Sequence, residues 1–335
     1  MPKREKAPDG IYNVFAPEAI DPATQRVNEL LASTDPELLV PRTAEALRSA
    51  WSGRPQWSPE MIAAGAPGAR LPPAPPSSAV SERVIDVGGG RDVRCMCLTP
   101  PTKPRGVYFY VHGGGWVAQS PDDYIQLLWE IARNADVTVV APIYRLAPEH
   151  PFPAAPDDVL AAASWLSTAG RRDYQGPLVI GGDSAGGHLA ALTLQRLRDE
   201  AHLTPFRAAD LVYGAYDLSL SPSARLHGSR PPLTTDAIRR CVDWACPVGD
   251  RADPKISPLY GRTNDLPPAL FSVGSGDILL DDTLFMRARW MSANCPADLA
   301  VYPGGVHGFD CMPLEIAAQC LERRVRFVRG AVMKA

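Results

Sequence analysis

The pentapeptide Gly182-Asp183-Ser184-Ala185-Gly186 matches G-x-S-x-G, a spacing that sets a serine on a sharp turn between a buried strand and a helix. Such a turn forces the serine toward positive φ, and the residues two positions either side must lack side chains for strand and helix to meet. The flanks suit it. Leu178, Val179 and Ile180 form an apolar run after Gly176-Pro177, and Leu189, Ala190, Leu192 and Leu197 give the next segment a helical stripe. Unpaired N–H groups and the positive end of that helix would lie beside Ser184, which makes Ser184 a nucleophile and the N–H of Ala185 an oxyanion donor.

A serine hydroxyl needs a base within hydrogen-bond reach and a carboxylate that holds the base in one tautomer. On a strand-turn-helix serine of this type the chain order is serine, acid, histidine. Beyond the serine's own helix only His202, His227 and His307 follow. His202 falls in a helix-exit loop and His227 in an irregular interval, whereas His307 sits in Gly304-Gly305-Val306-His307-Gly308, just past a strand ending at Tyr302. His307 is therefore the expected base. Asp277 is the first carboxylate beyond the strand Ala269 to Val273 and is the expected acid; Asp281 and Asp282 read as a helix N-cap and a first-turn acid. Further N–H donors come from His112-Gly113-Gly114-Gly115-Trp116, whose consecutive glycines follow the strand Val107 to Val111. A phosphate loop would end in Lys-Ser or Lys-Thr, which this segment lacks. His112 and His188 are expected to be structural, the first orienting the glycine loop and the second facing out of its helix.

These residues need a scaffold that gathers strand ends. From Val107 onward the chain alternates strand, loop and helix, with strands expected at Val107 to Val111, Val137 to Ala141, Leu178 to Ile180, Ala209 to Tyr213, Ala269 to Val273 and Asp298 to Tyr302. Helices are expected at about 122 to 134, 157 to 167, 185 to 199, 281 to 293 and 313 to 329. That alternation implies an α/β fold, a mostly parallel sheet covered on both faces. Ahead of it, Arg83 to Val87 and Val93 to Leu98 read as a hairpin around Gly88-Gly89-Gly90. Residues 1 to 70 carry amphipathic helical segments, and Leu71 to Ser78 is a proline-rich linker, so the chain divides into a helical region at 1–78 and a catalytic domain at 79–335. The helical region is either a lid over the site or a packing or dimerisation element, and the sequence leans to the latter. The interval 217–267 breaks the rhythm, holds one helical piece around Asp236 to Trp244, and reads as an insertion that helps cover the site.

A net charge of -3 over 335 residues gives no electrostatic footprint for nucleic acid. No apolar stretch approaches the ~20 residues of a spanning helix, and the charged N-terminus lacks the apolar run of a secretory signal. The seven cysteines are odd in number, form no C-x-x-C pair and sit among apolar neighbours, as buried thiols in a reducing cytoplasm would. No histidine lies at ligand spacing from another or from a cysteine pair, so no metal is expected.

Together with Tyr144-Arg145-Leu146-Ala147-Pro148-Glu149-His150-Pro151-Phe152-Pro153, the His112-Gly113-Gly114-Gly115-Trp116, Gly182-Asp183-Ser184-Ala185-Gly186, Asp277-Ile278-Leu279-Leu280-Asp281 and His307-Gly308-Phe309 segments resemble, in order, the signatures of the hormone-sensitive-lipase family in its bacterial GDSAG esterase branch. The resemblance spans about residues 80 to 330 and departs from the family at Ile278, where proline is common. It implies an α/β-hydrolase fold with a helical N-terminal cap, no cofactor, and carboxylesterase activity on short acyl esters. By the same resemblance Ser184, Asp277 and His307 form the triad, and Gly114, Gly115 and Ala185 form the oxyanion hole, with Gly113 a lesser donor. Arg145 and Glu149 would make an ion-paired turn that braces the site. An amidase or lactonase using the same residues is the alternative, and a small-molecule receptor without turnover a more distant one.

Overall fold

Hydrophobic runs of strand length between glycine- and proline-rich turns leave the backbone little choice but to pair, and eight strands do so in one sheet. A computed structural model describes residues 13–333 apart from 54–56, 89 and 229–230, and only the backbone of 36 and 38. The strands are β1 (Val80–Asp86), β2 (Asp92–Leu98), β3 (Gly106–Val111), β4 (Val137–Ile143), β5 (Leu178–Asp183), β6 (Phe206–Val212), β7 (Ala269–Gly274) and β8 (Ala297–Tyr302), in the order β1-β2-β4-β3-β5-β6-β7-β8. The β1–β2 hairpin and its β2–β4 junction are antiparallel, and every later pairing is parallel. Gly89, at the middle of the expected hairpin turn, lies outside the described residues.

The alternation of β3 shows how both faces are covered. Val107, Phe109 and Val111 pack into one apolar cluster with Val159, Leu189 and Trp290, while Tyr108 and Tyr110 point into another with Leu128 and Val328. On the first face lie α6 (Ala154–Ser167), α7 (Ala185–Glu200) and α10 (Leu280–Ser292); on the second lie α5 (Ile125–Ala135) and α11 (Glu315–Met333). The N-terminal segment folds as α1 (Pro22–Ala32), α2 (Pro36–Leu39), α3 (Ala44–Trp51) and α4 (Pro59–Ala64), with caps from Asp21, Thr43 and Ser58. Residues 71–76 carry neither helix nor strand.

Several expected boundaries shift for local reasons. Helix α6 opens at Ala154 rather than 157, since Pro156 occupies a first-turn position where its missing N–H costs nothing. The helix expected from 122 begins as a 3-10 turn at Pro121–Tyr124 before α5. Strand β4 runs on to Ile143 through Pro142, beyond the expected end at Ala141. The interval 217–267 holds a short α8 (Pro222–Leu226) besides the expected α9 (Thr235–Ala245). With Pro222 at its first position and only five residues, α8 carries too little periodicity to show in the sequence.

Candidate active site

Strand β5 ends at Asp183 and α7 begins at Ala185, so Ser184 alone makes the turn, at φ 53° and ψ -121°. A non-glycine residue held there is strained, and the strain persists because its neighbours over-determine it. The Ser184 N–H donates to Val212 O at 2.9 Å, and Ser184 O accepts from His188 N at 3.1 Å. A side chain on Gly182 would meet the Gly186 backbone, and one on Gly186 would collide with Val111 O. This is the steric reason for glycine on both sides of the serine.

The other two groups arrive from the ends of β7 and β8. Asp277 lies in the turn between β7 and α10 and is 3% exposed. One carboxylate oxygen, Oδ1, accepts from Leu279 N at 2.8 Å. His307 follows β8 on a loop whose Gly305 backbone packs on Gly274, with Gly276 N donating to Gly305 O at 3.0 Å. The imidazole bridges the two: Nδ1 is 3.1 Å from both Asp277 oxygens and Nε2 is 2.9 Å from Ser184 Oγ. With Nδ1–H donating to the carboxylate, Nε2 is left as an acceptor for the serine proton. Burial drives the His307 pKa down, but the Asp277 charge and hydrogen bond, helped by Asp183 and Asp310, outweigh it and hold the group above the ordinary 6.5.

Gly114 and Gly115 face the same cavity as Ser184. Among the described residues no acceptor is bonded to the N–H of Gly114, Gly115 or Ala185. These N–H groups are available to an oxygen that develops charge beside Ser184. Gly113 is placed differently. Its flank lies against Asp183 and the Tyr124 hydroxyl, its carbonyl accepts from His112 Nδ1 and Tyr144 Oη, and it does not border the cavity. His112 does orient the glycine loop, stacked at 4.2 Å on Tyr144 and kept neutral by burial, which pushes its pKa down to about 4.

Four expectations about supporting residues need correction. His188 does not face out of α7: it is fully buried, accepts from the Trp116 indole at 3.2 Å on Nδ1 and donates to Ile256 O at 2.6 Å on Nε2. It faces inward because the segment around Ile256 folds over it, a contact that helical periodicity cannot reveal. Arg145 and Glu149 are both ion-paired, but not with each other. Arg145 grips buried Asp158 with Nε at 2.8 Å and Nη2 at 2.9 Å, while Glu149 reaches across to Arg48 of α3. Asp281 lies in the first turn of α10, whose N-cap is Leu279, and its carboxylate accepts from Ser223 N of α8 at 2.7 Å. Six of the cysteines are buried free thiols, but Cys311 is only partly buried and borders the cavity.

A buried polar chain behind the site left no mark in the sequence. Arg324 of α11, fully buried, pairs with Asp210 at 2.9 Å and with Asp310 at 3.3 Å; Asp310 accepts from the Tyr213 hydroxyl, and the Tyr213 ring meets His307 edge-on at 4.8 Å. Tyr213 itself adopts φ 34°. The chain thereby fixes the wall against which the imidazole rests. Asp183 is a second such residue: Tyr110 and Tyr124 donate to it, and burial still pushes its carboxyl up to about 6.

The cavity over Ser184 holds about 670 Å³. Its floor is the strand ends; its cover is Leu39, Trp51 and Gly53 from the N-terminal segment together with Leu233, Ile238 and Cys241. The cover is tied down by polar contacts. Arg48 donates to Val117 O at 2.8 Å and Ala147 O at 2.7 Å, and Gly53 N donates to Asp123 at 2.6 Å.

A family model described as alpha/beta hydrolase fold matches residues 108–311. The chain is 34% identical over 215 residues to an ethyl acetate hydrolase of Pseudomonas putida, covering 62% of this chain and 67% of that one. It is also 34% identical over 248 residues to the esterase LipI of Mycobacterium tuberculosis, covering 71% and 77%. Among solved structures, an esterase from the bacterial hormone-sensitive lipase family superposes with a TM-score of 0.74 at 26% identity, covering 93% of this chain and 99% of that one. The chain belongs to the α/β-hydrolase family, on its hormone-sensitive-lipase-like side, and is a carboxylic ester hydrolase.

Proposed function

We propose that the protein hydrolyses short-chain acyl esters through an acyl-enzyme formed on Ser184. Ser184 Oγ attacks the ester carbonyl while His307 Nε2 takes its proton; the C–O bond to the alcohol breaks, and His307 returns the proton to the departing alkoxide. Water, deprotonated by the same nitrogen, then attacks the acyl carbon and frees the carboxylate, and the proton passes back to Ser184. Asp277 holds the tautomer and steadies the imidazolium, and the N–H groups of Gly114, Gly115 and Ala185 receive the oxyanion in both halves. In this reading residues 1–78 act as a cap region, with the insertion at 217–267 completing it, and the N-terminal helices limit the length of acyl chain the cavity accepts.

The observation that carries the reading is the unbroken relay from Asp277 through His307 to Ser184, at 3.1 and 2.9 Å. The test is a set of acetyl esters of alcohols with different leaving tendencies, followed in the first turnover and at steady state. A burst of alcohol followed by one shared kcat marks a common acyl-enzyme that deacylates slowly. A kcat that tracks the alcohol, with neither a burst nor a trappable adduct, would reject the two-step course.

A further inference from the structure

A second cavity, of about 430 Å³, lies between the end of α2 and the α8–α9 segment, and it inverts the charge of a chain whose net charge is -3. Four arginines, Arg42, Arg225, Arg239 and Arg240, line it against two carboxylates, Glu37 and Asp236. The carboxylates are already engaged, Glu37 with Arg42 and Asp236 with Arg239. The remaining two cations are held by carbonyls alone: Arg225 Nε donates to Leu220 O at 2.5 Å and Arg240 Nη2 to Val40 O at 3.0 Å. Neither has a carboxylate partner among the described residues, and Arg240 Nε–H is buried without an acceptor. The 11-residue helix α9 also opens here. Its N-cap Thr234 has its Oγ1 occupied as acceptor by Ala237 N, so the hydroxyl proton remains to donate. Thr235 N donates to Gly228 O at 2.9 Å, so Asp236 N–H is the donor left at the helix end among the described residues. Guanidinium forks, that N–H and a hydroxyl donor together form a receptor for a tetrahedral oxyanion.

We propose that this recess binds a phosphate group, as the free ion or as a small phosphomonoester, independently of the serine site. The elements that form it also cover the active-site cavity: Leu39, Leu233 and Ile238 border that cavity beside Val40, Thr234 and Arg239, which border this one. An anion bridging Arg240 and the α9 N-terminus would pull the two cover segments together. Occupancy thus adjusts the apolar wall over Ser184, a consequence that rests on the esterase reading, whereas the binding itself does not.

The test is calorimetric titration of the full-length protein with inorganic phosphate and, separately, with glycerol phosphate, ionic strength being held with chloride. Arg240→Gln, Arg239→Gln and Ser184→Ala are titrated alongside, and melting temperatures check that each variant is folded. One saturable site is expected, about tenfold weaker in Arg240→Gln, a loss of ~1.4 kcal/mol, and weaker in Arg239→Gln, but unchanged in Ser184→Ala. The tighter of the two ligands tells free ion from monoester. Absence of saturation, or equal affinity in folded Arg240→Gln and the native protein, would overturn the proposal. Loss of esterase activity with phosphate binding intact would instead count against the catalytic reading alone.

Discussion

The floor and the cover of the active-site cavity are built on different principles. On the floor, backbone fixes chemistry: Ser184, Asp277 and His307 follow β5, β7 and β8, three strands of the parallel part of a sheet buried on both faces. Backbone bonds between the loops, Gly276 N to Gly305 O and Ser275 N to Tyr302 O, carry that order past the strand ends. In the cover, short helices are fastened by side chains. Arg48 of α3 spans three acceptors, Val117 O, Ala147 O and Glu149; Trp51 donates to Leu39 O at 2.6 Å, Asn28 to Gly304 O at 2.9 Å and Trp57 to Cys311 O at 2.9 Å. Glu149 is 56% exposed at the side chain, so its pair with Arg48 is worth little more than a surface salt bridge. The contrast implies that substitutions in the floor change the rate of the chemical step, whereas substitutions in the cover change which ester is accepted.

The largest expected effect is in the floor. Asp277→Asn keeps the shape of the side chain but releases the Nδ1–H tautomer of His307, and kcat should fall by about 10⁴. A fall of less than about tenfold, measured on a folded variant, would remove Asp277 from the relay. The pH profile probes the same assembly. His307 accepts a proton only when neutral, and its pKa is held above the ordinary 6.5, so kcat/KM should rise through a limb lying above that value. The charges of Asp277, Asp183 and Asp310 sustain the shift; Asp277→Asn should therefore move the limb to lower pH as well as lower the plateau. An unmoved limb would mean that another group titrates there.

A cover residue should behave otherwise. Trp51 stands over Gly115 and borders the cavity, and Trp51→Ala opens space for a longer acyl chain. Each methylene newly buried is worth about 0.8 kcal/mol, so preference should move toward longer esters by roughly fourfold in kcat/KM per added carbon, while kcat on acetyl esters barely changes. A uniform fall across acetyl to decanoyl would place Trp51 in the floor's category. The smallest effect is expected at Asp281, four residues beyond Asp277, whose carboxylate serves Ser223 N of α8. Asp281→Ala should lower stability by about 1 kcal/mol, read from denaturant midpoints, with kcat/KM nearly preserved.

Much of the floor is legible in the sequence because it rests on short-range signals. An apolar run, a glycine turn and a helical stripe mark β5, Ser184 and α7 within twenty residues, and the first carboxylate after β7 and the glycine-flanked histidine after β8 follow from strand order. What escapes is held by distant side chains. Arg324 and Asp210 are separated by 114 residues, and neither lies in a recognisable pattern. The inward turn of His188 depends on Ile256, and Glu149 finds its partner Arg48 across 101 residues rather than in its own turn. The short α8 escapes for a different reason, since five residues opened by a proline give no period to read.

In the proposed mechanism one serine, Ser184, carries the reaction. The most direct measurement is active-site labelling with a fluorophosphonate, read as intact mass and mapped by peptide sequencing, on the native protein and on Ser184→Ala. One adduct per chain on Ser184 is expected, with concurrent loss of esterase activity and neither labelling nor turnover in the variant. Stoichiometric labelling of Ser184→Ala at another serine, with ester hydrolysis retained, would contradict it.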